Sequence, residues 1–493
     1  MSHHPSRFIT RIAALATVAA MACQPISEST VENPAEPPAS SETLPLEAGS
    51  TTAHSDLPDT VIFVIACTLR ASRMHVYGNP RENTPFLDSL AQRGVKFSQT
   101  ISNAPWTRPA IAALMTGQYP LRYGIDDERS KVNTDRGLDD SATTLAERFQ
   151  AAGWTTVGVT GNANVNDDFN MHQGFDTYQG TTSLWRDGFK RVPAKILVEN
   201  WLKATRTVEG KLFGQLVLID THGPLPDYPR RRDQLGLSTD EPASRIDRYD
   251  AAVLALDDSL RTLDEALTKR GRGDRLFVLV GDHGEGLERP NHHGRGHGRY
   301  LYESVLRVPW IIHGPGVAWN HKVQGLSQSV DVAPTIAELA GLPAETSPSP
   351  DGSSRAAAVR GDTDQTGERT VFSETFYADE HRARMTTPEW VYIRTFQEGT
   401  ASSRGIHELY AADDRRQAED LSDLQPKVAQ AFGRELDALR VRVGKDQTIW
   451  ERPVAEETLQ QLEALGYVET EQNTTESPMK EQTETLQRAS EEP

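Results

Sequence analysis

An unbroken apolar run, Val61-Ile62-Phe63-Val64-Ile65-Ala66, constrains this chain more than any other stretch of its sequence. Side chains alternate between the two faces of a strand, so a strand apolar at every position must be covered on both sides. Strands of that kind belong to parallel sheets held between layers of helices. Leu216-Val217-Leu218-Ile219 shares the pattern and leads into Asp220-Thr221-His222-Gly223-Pro224. Leu276-Phe277-Val278-Leu279-Val280 leads into Gly281-Asp282-His283-Gly284-Glu285, and Val308-Pro309-Trp310-Ile311-Ile312 ends at Gly314-Pro315-Gly316. Helical periodicity lies between these runs, for example over 141–152 and 249–269. The alternation predicts an α/β fold, a large mixed and mostly parallel sheet flanked by helices. Polar residues gathered directly after strands mark the edge where open α/β sheets bind ligands.

With 493 residues the chain is long enough for one large domain and an accessory unit. Its 52 Lys and Arg stand against 70 Asp and Glu, a formal net charge of −18, which argues against a nucleic-acid partner. Two cysteines exclude a disulfide scaffold and a Cys-rich zinc module. The sequence divides the folded part into a main domain over 57–395 and a small C-terminal α+β subdomain over 396–467. The strand Trp390-Val391-Tyr392-Ile393 and helices over 425–443 and 458–465 lie at or within the latter. Residues 468–493 are rich in Glu, Gln, Thr and Ser and predict a disordered acidic tail.

Arg7 and Arg11 precede a short apolar run over 12–22, then Cys23. At about 1.5 Å per residue the run is far too short to span a hydrocarbon core of roughly 30 Å, so it reads as an export signal. Ala20-Met21-Ala22-Cys23 resembles the bacterial lipoprotein cleavage box, which implies lipidation at Cys23 after removal of the signal over 1–23. Residues 24–56, rich in Pro, Ser, Thr and Glu, predict a flexible tether. The expectation is a lipid-anchored, extracytoplasmic protein of the bacterial cell envelope.

Asp282-His283 at a strand end can present two metal ligands to one cleft, or can be turn residues bonded to backbone. Pro105-Trp106-Thr107-Arg108-Pro109 leads into Ala110-Ile111-Ala112-Ala113-Leu114-Met115, which predicts a helix with Thr107 near its start. A hydroxyl there faces exposed N–H groups and the positive end of the macrodipole; it either caps the helix or meets an anion.

These stretches together resemble the sulfatase family of the alkaline-phosphatase superfamily, over residues 59–467. Thr68-Leu69-Arg70-Ala71, Thr84-Pro85-Phe86-Leu87-Asp88 and Gly94-Val95-Lys96-Phe97 resemble its opening segment. Met115-Thr116-Gly117-Gln118-Tyr119-Pro120, Gln173-Gly174-Phe175-Asp176, Asp282-His283-Gly284-Glu285, Gly296-His297-Gly298 and Asp331-Val332-Ala333-Pro334-Thr335 follow in the family's order. The resemblance implies an alkaline-phosphatase-like fold and a divalent metal, calcium by family expectation, aligned with a nucleophile. By position Asp282 and His283 match metal-site residues, Thr107 the nucleophile, and His222 and His297 the substrate-facing histidines. His293 and Arg70 match further substrate-binding positions. A two-metal arrangement of Asp220, His222 and His297 is an alternative.

Two departures change the chemistry. Cys67 stands where the family has an aspartate ligand, and thiolate favours zinc over calcium or magnesium. Thr107 stands where the family has the Cys or Ser that becomes formylglycine, and Ile111 replaces the motif's arginine. A threonine cannot yield that aldehyde, although its hydroxyl can attack sulfur or phosphorus directly. Three readings follow: a metal-dependent hydrolase of sulfate or phosphate esters; an inactive surface lipoprotein that binds an anionic ligand; and a phosphoryl-headgroup transferase of the envelope. The expected substrate is an anionic ester, a sulfated or phosphorylated glycan or small molecule. Specificity falls to loops over 181–206 and 224–247, which carry no readable motif.

Overall fold

The computed structural model describes residues 57–125, 136–186, 191–239, 243–287, 295–344, 350–363, 369–377, 380–397, 407–444 and 448–467. The signal, tether and tail expected at 1–23, 24–56 and 468–493 lie outside the described residues, as do Cys23 and His293.

Thr60–Ala66 is a strand buried at every position, as its unbroken apolar run requires. It pairs in parallel with Leu212–Leu218 on one side and Arg275–Gly281 on the other. Thr155–Thr160 continues the parallel run beyond Leu212–Leu218, and Thr177–Gln179 ends it. On the other side Trp310–His313 runs antiparallel to both Arg275–Gly281 and Val95–Ile101. His321–Gln328 then pairs in parallel with Val95–Ile101, and Arg307–Val308 pairs with the latter to complete a nine-stranded mixed sheet.

The two faces of the central strand separate cleanly. Val61, Phe63 and Ile65 pack with Ile111, Leu114, Phe149 and Ile336, from the helices Thr107–Thr116, Leu145–Ala151 and Val332–Leu339. Ile62, Val64 and Ala66 pack with Leu87, Trp201, Leu256 and Leu260, from the helices Pro85–Gln92, Ala194–Ala204 and Arg245–Lys269. Period-two alternation therefore feeds two cores, each large apolar side chain contributing about 1.5–3 kcal/mol by burial.

Register decides where the polar clusters emerge. Ala66 lies opposite Leu218 and Gly281, and Thr160 opposite Val217. Cys67, the Asp220–His222 turn, Asp282–His283 and Asn162 therefore leave the sheet along one carboxyl edge, the ligand-binding edge of such sheets.

A second, antiparallel sheet comprises Val371–Tyr377, Glu380–Thr386, Trp390–Gln397 and His407–Ala411. Helix Pro426–Gly444 packs on it through Phe432 and Leu436, with the Phe432 ring stacked 5.8 Å from that of Tyr392. The sheet starts at Val371, upstream of residue 396. Its first strands are hard to recognise because buried charges interrupt them: Glu374 is bonded to His381 and Arg440, and Arg384 donates to the Leu301 carbonyl. Among the described residues no helix is long and apolar enough to cross a membrane.

Candidate active site

Helix Thr107–Thr116 starts one residue after Trp106, whose side chain makes no capping bond. The Thr107 hydroxyl turns into the protein. Its Oγ1 lies 3.3 Å from His283 Nε2 and 2.8 Å from the Tyr467 phenol oxygen, and Asn162 Nδ2 donates to it at 3.3 Å. Thr107 is completely buried. The hydroxyl thus faces three polar side chains inside the fold.

The imidazoles are oriented by backbone carbonyls. His283 Nδ1 is 2.9 Å from the Gly284 carbonyl, so Nδ1 carries the proton and Nε2 presents a lone pair to Thr107. His222 is held in the same way by the Gly223 carbonyl, and its Nε2 accepts from the Tyr467 O–H at 2.7 Å. The Tyr467 oxygen is then left to accept from Thr107. Burial holds both histidines well below the usual imidazole range, with His297 adding to the effect. Both are therefore neutral bases at pH 7.

His297 completes the cluster, its ring centroid 4.6 Å from that of His283 and 4.9 Å from that of His222. Its Nδ1 is 3.0 Å from Glu285 Oε2, and Arg245 donates to Glu285 Oε1 at 2.9 Å. Burial alone would raise Glu285, but His297 and Arg245 outweigh it and hold the carboxylate below its usual range. Arg70 donates to the Glu285 carbonyl at 3.2 Å, at the margin of this group. Arg191 clamps the turn from beneath through the carbonyls of Ile219, His222 and Pro224.

Asp282 occupies the sheet side. Its Oδ1 accepts from Thr68 N at 2.8 Å and His283 N at 2.6 Å. Thr68 reaches this position at φ 59°, a strained conformation for a β-branched residue and typical of functional sites. Asp282 Oδ2 is buried, accepts no N–H or O–H, and lies 3.4 Å from His283 Nε2. Burial pushes Asp282 up to about 6, against the pull of the two backbone donors. The Cys67 thiol, which also receives Asn162 Nδ2 at 3.6 Å, is raised well above its ordinary value by burial and then by Asp282.

The fold thus brings together Thr107, His222, His297, Asp282, His283 and Cys67 from distant parts of the sequence. Asp220, the third member of the two-metal alternative, is not among them. Its oxygens are taken by Ala194 N at 2.8 Å and the Tyr228 O–H at 2.9 Å, because the carboxylate turns under the loop. Asn162 and Tyr467 are site residues that sequence reasoning missed. Asn162 follows the strand Thr155–Thr160, whose Val157-Gly158-Val159-Thr160 before a Gly-Asn pair was a readable strand-end signal. Tyr467 had no local signal, since helix docking alone brings it here.

A parallel-centred sheet with a helix-start hydroxyl facing imidazoles at its carboxyl edge defines the alkaline-phosphatase-like architecture. The sulfatase family model matches residues 59–342, and the chain belongs to that family. An arylsulfatase of Hemicentrotus pulcherrimus is 25% identical over 320 residues, 57% of this chain and 58% of that protein. The steryl-sulfatase of Homo sapiens is 25% identical over 397 residues, 59% of this chain and 68% of its own. The first match thus spans less than two thirds of the relative. Among solved structures, BT4656 in complex with its substrate D-glucosamine-2-N,6-O-disulfate gives a TM-score of 0.65 at 16% identity, covering 79% of this chain and 98% of that one. The phosphonate monoester hydrolase of Agrobacterium radiobacter gives 0.62 at 16% identity, covering 78% and 96%. At these identities the structures establish the shared fold.

Sulfatases generally depend on a divalent metal, and the donor set here tests that expectation. A calcium ion takes about six to eight oxygen ligands. This cleft offers Asp282 Oδ2 and the Thr107 hydroxyl beside imidazoles and a protonated thiol, with Thr68 and Cys67 following the first strand. Among the described residues no three His, Cys, Asp or Glu side chains are placed to hold one ion together. The residues do not fit the hard cation that the resemblance implies. Cys67, Asp282 and His283 are neighbours without being arranged as a ligand triad.

Proposed function

We propose that this chain hydrolyses sulfate or phosphate esters with Thr107 as nucleophile. The observation that carries the reading is the placement of Thr107 Oγ1, buried at a helix start and 3.3 Å from the lone pair of a neutral His283. In this mechanism Oγ1 attacks sulfur or phosphorus as its proton passes to His283 Nε2. The bond to the leaving oxygen breaks, and His283 returns the proton to that oxygen. Gly284 keeps the ring aligned throughout by holding Nδ1–H. Water then cleaves the threonyl ester by the reverse proton route. His222 and His297 face the same space, and the N–H of Asn162 Nδ2 orients the anionic group. The sulfated-glycan complex and the phosphonate hydrolase among the structural neighbours support an anionic ester as substrate.

The protein is proposed to work at the bacterial envelope, anchored by a lipid on Cys23 and displaced from the surface by the 24–56 tether. The basic flank, short apolar run and cleavage box support this. The mass of the mature N-terminus tests it.

A second reading, an inactive protein that binds an anion, draws on the protonated Cys67 beside Asp282 and on Tyr467 within the cleft. One experiment separates the two: purified protein assayed against aryl sulfate, aryl phosphate and phosphonate monoester. Turnover that vanishes in Thr107→Ala supports hydrolysis, and anion binding without turnover supports the second reading.

A further inference from the structure

The Thr107 oxygen is buried and meets three polar side chains. Beyond its own carbon it meets His283 Nε2, Asn162 Nδ2 and the Tyr467 phenol. The Tyr467 oxygen spans the gap between Thr107 Oγ1 at 2.8 Å and His222 Nε2 at 2.7 Å. Its ring stands 5.3 Å from that of His222 and 5.7 Å from that of His297. A reacting sulfur or phosphorus has to lie about 3 Å from the nucleophile and beside these same imidazoles, so it needs the volume this phenol holds.

The four walls are not equivalent. His283, Asn162 and His222 follow strands of the main sheet, whereas Tyr467 follows the last described helix, Glu456–Ala464. Gly466 at φ +81° and the bond from Tyr467 N to Leu462 O, 2.9 Å, close that helix and turn the ring inward. The helix is held by Leu462 in the core, by Gln461 on Thr181, and by Asn166 on Thr458 at 3.4 Å.

We infer that Tyr467 is a built-in occupant of the site: its phenol stands in for the ester group, and the cleft is closed to substrate until the C-terminal helix end withdraws. This rests on the reading of Thr107 as the reacting group.

The test is calorimetric titration of inorganic sulfate and inorganic phosphate into the wild-type chain, Tyr467→Phe and Tyr467→Ala, with ester turnover measured in parallel. Tyr467→Ala is expected to bind the anion with a Kd at least tenfold lower than wild type. Tyr467→Phe should fall between, since it loses both hydrogen bonds and keeps the ring. Equal Kd values in all three proteins overturn the inference. So does lost turnover in Tyr467→Phe at unchanged anion affinity, which would make the phenol a working part of the reaction. Tighter anion binding in Tyr467→Ala with no turnover of any ester leaves the occupant in place and removes the hydrolase reading. No anion binding by any of the three overturns both. Should Tyr467→Ala misfold, 3-fluorotyrosine at position 467 keeps the question open to measurement in the folded chain. Its fluorine resonance is expected to shift in step with anion binding, and a fixed resonance at saturating anion overturns the inference.

Discussion

Thr107 Oγ1 and His283 Nε2 lie 3.3 Å apart although 176 residues separate them in the chain. Parallel pairing of Thr60–Ala66 with Arg275–Gly281 sets one end of that distance, and the start of the Thr107 helix sets the other. The contact sets a hydroxyl oxygen beside the lone pair of a base, and turning its proton from the Tyr467 oxygen to that nitrogen gives the elementary unit of nucleophilic catalysis. Thr107→Ala should lower ester turnover by about 10³-fold or more while the melting temperature stays within a few degrees of wild type. Thr107→Ser keeps the oxygen and should retain activity. Equal rates in wild type and Thr107→Ala would take the residue out of the mechanism.

Cys67 sets a buried, protonated thiol, a poor ligand for a hard cation, beside Asp282. Cys67→Asp places a second carboxylate against the buried Asp282, which without metal should lower the melting temperature through like-charge repulsion. Calcium or manganese should then raise it by several degrees, because a ligand bound only by the folded state stabilises it. Wild type should not respond to millimolar calcium. A variant equally indifferent to both ions would place Cys67 outside any site a metal can enter.

Asp257 offers a pH test remote from the cleft. Its two oxygens accept from Phe86 N and Leu87 N, each at 2.9 Å, capping the helix Pro85–Gln92 from a neighbouring element. Burial pushes the carboxyl up to about 7, although the two amides pull the other way, and Asp258 and Asp88 add to the rise. Between about pH 4 and 7 the unfolded chain has lost this proton and the folded chain keeps it. The group's contribution is therefore full below about pH 4 and is lost as pH rises through 7, by up to about 4 kcal/mol. Asp257→Asn should flatten the fall in denaturation midpoint across that window. An unchanged slope would assign the pH dependence to other groups.

Gly214 tests the packing beneath the sheet. A Cβ there would stand 2.2 Å from Trp201 Cζ2, and the Trp201 indole is fixed by its bond to the Val157 carbonyl at 3.1 Å. Gly214→Ala should destabilise the fold by about 3 kcal/mol through overpacking. Gly273→Ala, where nothing lies within 4 Å, should change stability by less than about 0.5 kcal/mol. Denaturant titration of the pair measures the difference directly, and similar losses in both would show that the Trp201 contact yields.

The sequence by itself determined the layered sheet and the edge that carries the chemistry. The run Val61–Ala66 is apolar at both parities, which only a strand covered on two faces can satisfy, and its neighbours at 216–219 and 276–280 obey the same rule. The clusters after those strands, including His222, Asp282 and His283, were legible because a turn directly follows a buried strand. The strand at Val371–Tyr377 was not legible. Its buried Glu374 is compensated by His381 and Arg440, partners that exist only once the sheet has formed.

Tertiary structure alone decided what the gathered residues can do. Which way a side chain turns at a strand end depends on what meets it from other elements: Asp220 is drawn away by Ala194 and Tyr228, while Asp282 keeps one oxygen that no N–H or O–H reaches. Tyr467 shows the same limit most plainly. Nothing in Leu465-Gly466-Tyr467 distinguishes it from an ordinary helix end, and its place between Thr107 and His222 follows from how the helix Glu456–Ala464 docks on the sheet edge. Local pattern specifies the strands, helices and turns through short-range sterics and burial. The Thr107 hydroxyl meets its partners across 55, 176 and 360 residues, contacts that only the assembled fold contains.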